Sequence, residues 1–437
     1  MPEQIWVVGG GLAGTEAAWQ IANSGRRVVL YEMRPVRNTP AHTSDLLAEL
    51  VCSNSLKANY LENASGLLKE EMRRLDSLII KVADETRVPA GGALAVDRGE
   101  FARRITALIN NHSQIQVVRE EVTSIPLGQP AIIASGPLTS AALSEWLKQL
   151  FGEEYFYFYD AVAPIVTGES LDYSKVFLAS RYGKGEAEYL NCPLNEMKYH
   201  EFWENLVSAE THQSHVGEVE QHFFEGCMPI EVLARRGKDT LRYGPLKPVG
   251  LLDPITGKRP YAVIQLRAEN KEKTLYNLVG FQTNLRWGEQ ARVFRQLPGL
   301  EAAEFVRYGV MHRNTFINTP QLLLPSLQWK GAENLFFAGQ LIGVEGYVES
   351  ASSGLSAAFH MERYLKGKEL KPFPRETMIG ALAYYISTPN KVFNPMNANL
   401  GLLPSLGKHR KVERKQLYKD RSEQSLNHYL VEMNVES

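Results

Sequence analysis

The chain has 437 residues, 44% of them hydrophobic and 22% charged, which is the composition of an ordinary globular protein able to bury a core and too long for one average domain. Its formal net charge of −1 excludes a global positive field of the kind that draws nucleic acid onto a whole surface, so any such contact has to be local. No apolar run approaches the ~20 residues of a membrane span, the opening IWVVGGG lacks the basic flank of a secretory signal, and three cysteines cannot all pair with one another, so a reduced, cytoplasmic setting is expected.

In chain order, IWVVGGG reads as a buried strand running into glycines, LAGTEAAWQIANSG as a helix closed at Gly25, and RRVVLYEMR as a second strand, a β-α-β start. Helical spacing recurs in SGLLKEEMRRLDSLIIKVAD, in DRGEFARRITALINN, and in TSAALSEWLKQL after the strand-like AIIASGP. From about Val166 to Leu300 the pattern changes to extended segments such as YAVIQLRAEN and TLYNLVGFQTNL between Pro and Gly turns, which predicts an insertion. NLFFAGQ then leads through a Gly-rich turn into the helical ESASSGLSAAFHMERYL, and the remaining tail is helical or irregular.

The first chemical motif is Gly9-x-Gly11-x-x-Gly14, with Gly10, Leu12 and Ala13 completing the turn and helix start and Glu32 ending the next strand. Gly9 permits the tight turn, Gly11 lets backbone approach a pyrophosphate, and Gly14 lets the helix pack close to the strand while its first N–H groups face the anion. Glu32 suits a free ribose, which favours FAD or NAD over NADP. The second end decides between them. The strand ending at Gly339-Gln340 has the form of a flavoprotein segment beside the ribityl chain, and the turn at Gly136 resembles another crossover of such folds. The expected architecture is therefore α/β: a doubly wound, Rossmann-like FAD-binding domain in two parts, residues 1–165 and 300–437, with an inserted α+β domain over residues 166–299.

VVGGGLAGTEAAWQIANSGRRVVLYEMRP, ELVCSNSLKA, GCMPIE, RYGVMHRNTFIN and GQLIGVEGYVESASSGLSAA together closely resemble the folate- and FAD-dependent tRNA (uracil-5-)-methyltransferases, smaller relatives of the GidA tRNA-modifying flavoproteins. The resemblance implies methylation of the T-loop uridine of tRNA to ribothymidine, with methylenetetrahydrofolate as carbon donor and FAD reduced by NAD(P)H as hydride source. It also implies that Cys52 and Cys227 are a catalytic pair, since similar cysteines serve so in the family. A thiolate is the side chain best suited to add to a pyrimidine ring and leave it again, and a second thiolate or a carboxylate could remove the proton. Cys227 is the favoured nucleophile, with the reverse assignment open, and Cys192 is read as structural.

For substrate binding, His312 and Arg313 are candidates to hold the pterin, the Phe281-Gln282-Thr283-Asn284 segment with Arg286 and Trp287 after it offers stacking and phosphate-binding groups for folate or RNA, and Arg235 and Arg236 offer phosphate contacts. Basic runs over Arg235–Lys258 and Lys408–Arg421 are the local positive segments, although such runs are usually solvated faces. No metal constellation is expected. Alternatives are a wobble-uridine-modifying flavoprotein, a thiol–disulfide oxidoreductase, against which the absence of a Cys-x-x-Cys pair counts, and a flavin-binding RNA-interaction protein without turnover.

Overall fold

The computed structural model describes residues 4–435 apart from 127, 153–154, 162, 184–188, 213–227, 269–272, 310, 390–392, 394, 407–409 and 411–412; side chains are not described for 155–161, 311–315 and 434–435. Cys227, Lys408 and Lys411 lie outside the described residues, as do the side chains of His312 and Arg313.

The chain opens with β1 (Gln4–Val8), α1 (Leu12–Asn23) and β2 (Arg27–Tyr31). Next come β3 (Ser55–Ala58), α2 (Ala64–Arg74), α3 (Leu78–Glu85), β4 (Arg87–Val88), β5 (Ala93–Val96), α4 (Arg98–Asn110), β6 (Ile115–Val118), β7 (Ala131–Ile133) and α5 (Ala141–Phe151). The helical stretch read over Ser65–Asp84 is thus two helices. Asp76 takes φ +52° and Ser77 caps the second helix by accepting from the N–H of Ile80, so the direction changes inside an otherwise periodic pattern.

β1, β2, β6, β7 and the late strand β16 form one parallel sheet in the order β16-β7-β1-β2-β6. Before reaching β16 (Leu335–Phe337) the chain makes β8 (Tyr155–Ala161), β9 (Ile165–Thr167), β10 (Phe177–Ala179), β11 (Tyr189–Leu194), α6 (Glu196–Ser208), α7 (Ile230–Arg235), α8 (Thr240–Tyr243), β12 (Ala262–Ala268), β13 (Leu275–Leu278), α9 (Trp287–Phe294), β14 (Phe305–Arg307), β15 (Met311–Ile317) and α10 (Thr319–Leu322). Strands β9 to β14 form an antiparallel sheet in the order β10-β11-β12-β13-β9-β14, so it takes in residues as late as Arg307. Its own core includes Tyr199 and Phe202 of α6, Ile230 of α7 and Phe294 of α9. β8 and β15 pair as a separate antiparallel ribbon.

After β16 come α11 (Tyr347–Leu365), α12 (Met378–Ser387) and α13 (Arg414–Val435). α11 lies against α1 so closely that a Cβ on Gly354 would sit 2.1 Å from the carbonyl oxygen of Ala13. That contact locks the first strand-turn-helix unit to the last one. No helix among the described residues is long and apolar enough to cross a membrane.

Candidate active site

Parallel strands present their C-terminal turns at one edge of the sheet, and where the order reverses beside β1 a cleft opens. The cleft encloses about 1020 Å³, counted out to solvent, and is lined by Gly9 to Ala13, Glu32, Gly136, Gly339 and Gln340 among others. The two sequence segments therefore meet on one cavity. Gly9 has φ +110°, and a Cβ there would lie 2.4 Å from the carbonyl oxygen of Ala134; Gly14 has no room for one beside the Gly9 carbonyl. Gly11, in contrast, faces open space, as a backbone approached by a ligand should. Gly136 and Gly339 have φ +72° and +80°.

Glu32 is buried and accepts from Gly10 N at 3.0 Å and from Arg34 N and Nε at 2.9 and 3.0 Å. Burial alone would push its carboxyl up, but the Arg34 guanidinium and the two backbone N–H groups outweigh it and hold the group below the usual carboxylate range. A carboxylate offers about four acceptor positions, so one remains for a ribose hydroxyl. Chemically, the cleft fits a dinucleotide: backbone donors for phosphates at one point and an ionised acceptor for a ribose at another.

Cys52 sits beside this cleft, next to Val51 of its lining. Tyr347, in the first turn of α11, lines the cleft and accepts through its hydroxyl from Cys52 N at 2.7 Å and Ser53 N at 3.2 Å. Burial, with the neighbouring Cys52 adding to it, pushes the Tyr347 phenol up, so it stays neutral. From the other sheet, Arg267 of β12 donates to Ser53 Oγ at 2.6 Å and Asn54 Oδ1 at 2.8 Å, and Asn54 returns a bond to Ala268 O. The half-buried thiol segment is thus held between both sheets. Cys192, on β11, is wholly buried in the second core, where burial pushes its thiol up and leaves it inert.

Arg235, Arg236, Arg286 and Trp287 lie on or beside α7 and α9, which pack into the second sheet's core, whereas His312 and Arg313 belong to β15 of the separate ribbon. Glu231, buried in the first turn of α7, accepts from Thr283 Oγ1 and from the N–H of Asn284 at 2.8 Å each. Phe281 and Thr283 are therefore interior groups and do not offer the stacking face expected of that segment. The exposed aromatic there is Trp287, whose ring stacks 5.8 Å from that of Tyr308. Arg286 pairs with Glu210 at 2.6 Å, and Arg235 and Arg236 are exposed at the end of α7. Other cations of the basic runs are used internally: Arg242 lies over the Tyr261 ring, and Arg421 donates to Pro404 O and Ser405 O. Among the described residues there is no group of His, Cys, Asp and Glu that could hold a metal ion. Sequence alone does not single out Tyr347, Arg267, Asn54 or Glu231, since their partners are remote in the chain.

A parallel sheet whose first turn and last strand-to-helix turn share one dinucleotide cleft defines an FAD-binding α/β flavoprotein. The family model described as "Glucose inhibited division protein A" matches residues 4–369, and proteins named "Methylenetetrahydrofolate--tRNA-(uracil-5-)-methyltransferase TrmFO" match closely: that of Anoxybacillus flavithermus is 61% identical over 98% of this chain and 99% of its own, and that of Bacillus pumilus 64% over 93% and 94%. The chain belongs to the TrmFO family within the glucose-inhibited division protein A group. The solved structure of Aquifex aeolicus GidA shares the fold with a TM-score of 0.72, at 18% identity, over 97% of this chain and 72% of that one.

Proposed function

We propose that the chain methylates C5 of the T-loop uridine of tRNA, taking the carbon from methylenetetrahydrofolate. Bound FAD, reduced by NAD(P)H, would supply the hydride that brings this carbon to the methyl level. The observation that carries the reading is a half-buried thiol segment pinned at the lip of a dinucleotide cleft, in a chain belonging to the family named for this transfer. C5 of uracil is a weak nucleophile until a group adds at the neighbouring ring carbon. A thiolate forms that bond, C5 attacks the methylene carbon, a base takes the proton from C5, the carbon–nitrogen bond to the folate breaks so that tetrahydrofolate leaves, and hydride added to the resulting exocyclic methylene would expel the thiolate and complete the methyl group. In this reading Cys227 is the nucleophile and Cys52 the partner thiol. Tyr347, accepting from two consecutive backbone N–H groups, fixes where the Cys52 side chain starts. Glu32 and the Gly9–Gly14 turn hold the cofactor; His312 and Arg313 serve the pterin, and Arg235, Arg236 and Arg286 serve the RNA.

A tRNA carrying 5-fluorouridine at the target tests these roles, because fluorine cannot leave as a cation and the covalent protein–RNA complex should accumulate. Cys227→Ala should abolish the complex, Cys52→Ala should lose turnover, and Cys192→Ala should retain both the complex and methylation. A complex formed at the native rate by Cys227→Ala but not by Cys52→Ala would reverse the two roles. Full methylation by both single variants would end the thiol mechanism.

A further inference from the structure

We propose that Lys57 is a positioning residue for the Cys52 thiol, acting through its ion pair with Glu349 at the head of α11. The role rests on the proposed use of Cys52 in the reaction. Lys57 follows Cys52 by one short segment and stands in the left-handed region, with φ +64°. A long L side chain rarely sits there, so its surroundings must hold it. Those surroundings are specific. Lys69, beneath, donates to the carbonyl oxygens of Leu56 and Ala58 at 2.8 Å each, fixing the backbone on either side of Lys57. The Lys57 Nζ then donates to Glu349 Oε1 at 2.8 Å and lies 3.4 Å from the carbonyl oxygen of Glu345.

Glu349 has no exposed side-chain surface, whereas Lys57 is 40% exposed. Its Oε1 also accepts from Ala398 N at 3.0 Å, while its Oε2 is buried without a hydrogen-bond partner among the described residues. The lysine is therefore the ion-pair partner that makes a buried carboxylate tolerable at this place. Gly346 leaves room for the pair: a Cβ there would lie 2.2 Å from Glu349 Oε2 and 2.6 Å from Lys57 Nζ.

The geometry joins this pair to the thiol. Tyr347 and Glu349 are two residues apart in the first turn of one helix. Tyr347 grips the front of the segment at Cys52 and Ser53, and Glu349 grips its end at Lys57. Without Lys57 the second grip is lost whatever stands at position 349, because Glu349 Oε1 keeps only the Ala398 N–H among the described residues and the far end of the segment is no longer tied to the turn that carries Tyr347. The Cys52 segment would then lose its register against the cleft.

The test uses the flavin-loaded protein and reads two quantities: the rate of Cys52 alkylation by iodoacetamide, followed on the Cys52 peptide by mass spectrometry, and kcat and KM for tRNA methylation. Lys57→Met should alkylate Cys52 at least about fivefold faster than the native protein, with buried Cys192 unreactive in both. Its kcat should fall about tenfold with KM for tRNA within about twofold, and Lys57→Arg, which keeps the charge, should restore both readouts to within about twofold. If Lys57→Met does not retain flavin, Lys57→Met/Glu349→Gln removes the buried charge and should retain flavin with the same fast alkylation. The proposal is overturned by native alkylation and kcat in either variant lacking Lys57, by a Lys57→Arg variant as impaired as Lys57→Met, or by a double variant that also loses flavin. Alkylation needs no tRNA. A native protein with no methyl transfer would therefore defeat the functional reading while leaving the Cys52 comparison to be read by itself.

Discussion

A Cβ built on Gly14 would lie 1.8 Å from the carbonyl oxygen of Gly9, whereas one built on Gly11 meets nothing within 4 Å. Gly11 also has φ −76°, which any residue adopts. The two glycines of one motif therefore act on different things: Gly14 on the helix–strand packing, Gly11 on the space left for a ligand. Gly14→Ala should lower the unfolding free energy by about 1–3 kcal/mol or more, seen as a lower thermal midpoint. Gly11→Ala should keep the midpoint of the flavin-free protein yet weaken flavin binding at least about tenfold, or about 1.4 kcal/mol, measured by equilibrium titration. Equal loss of stability in both variants would contradict this division. These roles are legible in the sequence because a tight turn and a close approach are demands on local backbone. The thiol segment is legible only in part. Cys52 stands out as a thiol in a polar setting, but its contact with Tyr347 spans 295 residues of chain and leaves no local signature.

At the scale of elements, helices of the first layer are joined through buried polar groups. Glu71 of α2 accepts from the N–H groups of Met378 and Ile379 at the head of α12 and from Ser422 of α13, and Glu16 of α1 does the same for Leu78 and Ile79 of α3. His360 on α11 is wholly buried, with Nδ1 2.8 Å from Ser356 O and Nε2 3.1 Å from Lys371 O, beside the rings of Phe359 and Phe373. Burial dominates and lowers its pKa to about 4, with Arg363 adding to the effect against the two carbonyls. A lowered base is stabilising in its neutral form, so its contribution is complete above the ordinary value of 6.5 and is lost as the pH falls toward 4. The loss should reach about 3 kcal/mol at most. Glu71 works in the opposite sense, since burial pushes its carboxyl up to about 7 and protonation favours the folded state below that. Urea unfolding of the native protein and His360→Gln at pH 7.5 and 5 cancels the Glu71 contribution in the difference, and the variant should lose less stability on acidification. An identical pH response in both proteins would contradict the assignment. Here apolar periodicity reveals the helices, but the break at Asp76 is hidden because apolar spacing continues across it.

At the scale of the whole molecule, the chain leaves the parallel sheet after β7, builds an antiparallel sheet with its own core, and returns at β16 to complete the cleft. The Cys52–Asn54 segment bridges the two layers through Arg267. With a net charge of −1 the molecule relies on local cations for RNA, and Arg235 and Arg236 are exposed ones near the Glu231 anchor. Charge reversal at either should weaken tRNA binding and flatten the slope of log affinity against log salt by about one for each phosphate no longer neutralised. An unchanged slope in both variants would leave them as solvated surface. The methyl transfer itself is decided by incubating the flavin-loaded protein with a tRNA transcript, NAD(P)H and methylenetetrahydrofolate labelled in its methylene carbon. Labelled 5-methyluridine should appear in the T-loop, with no product when S-adenosylmethionine is the sole donor. Unlabelled tRNA after full incubation, or methylation that depends on S-adenosylmethionine, would contradict the proposed reaction.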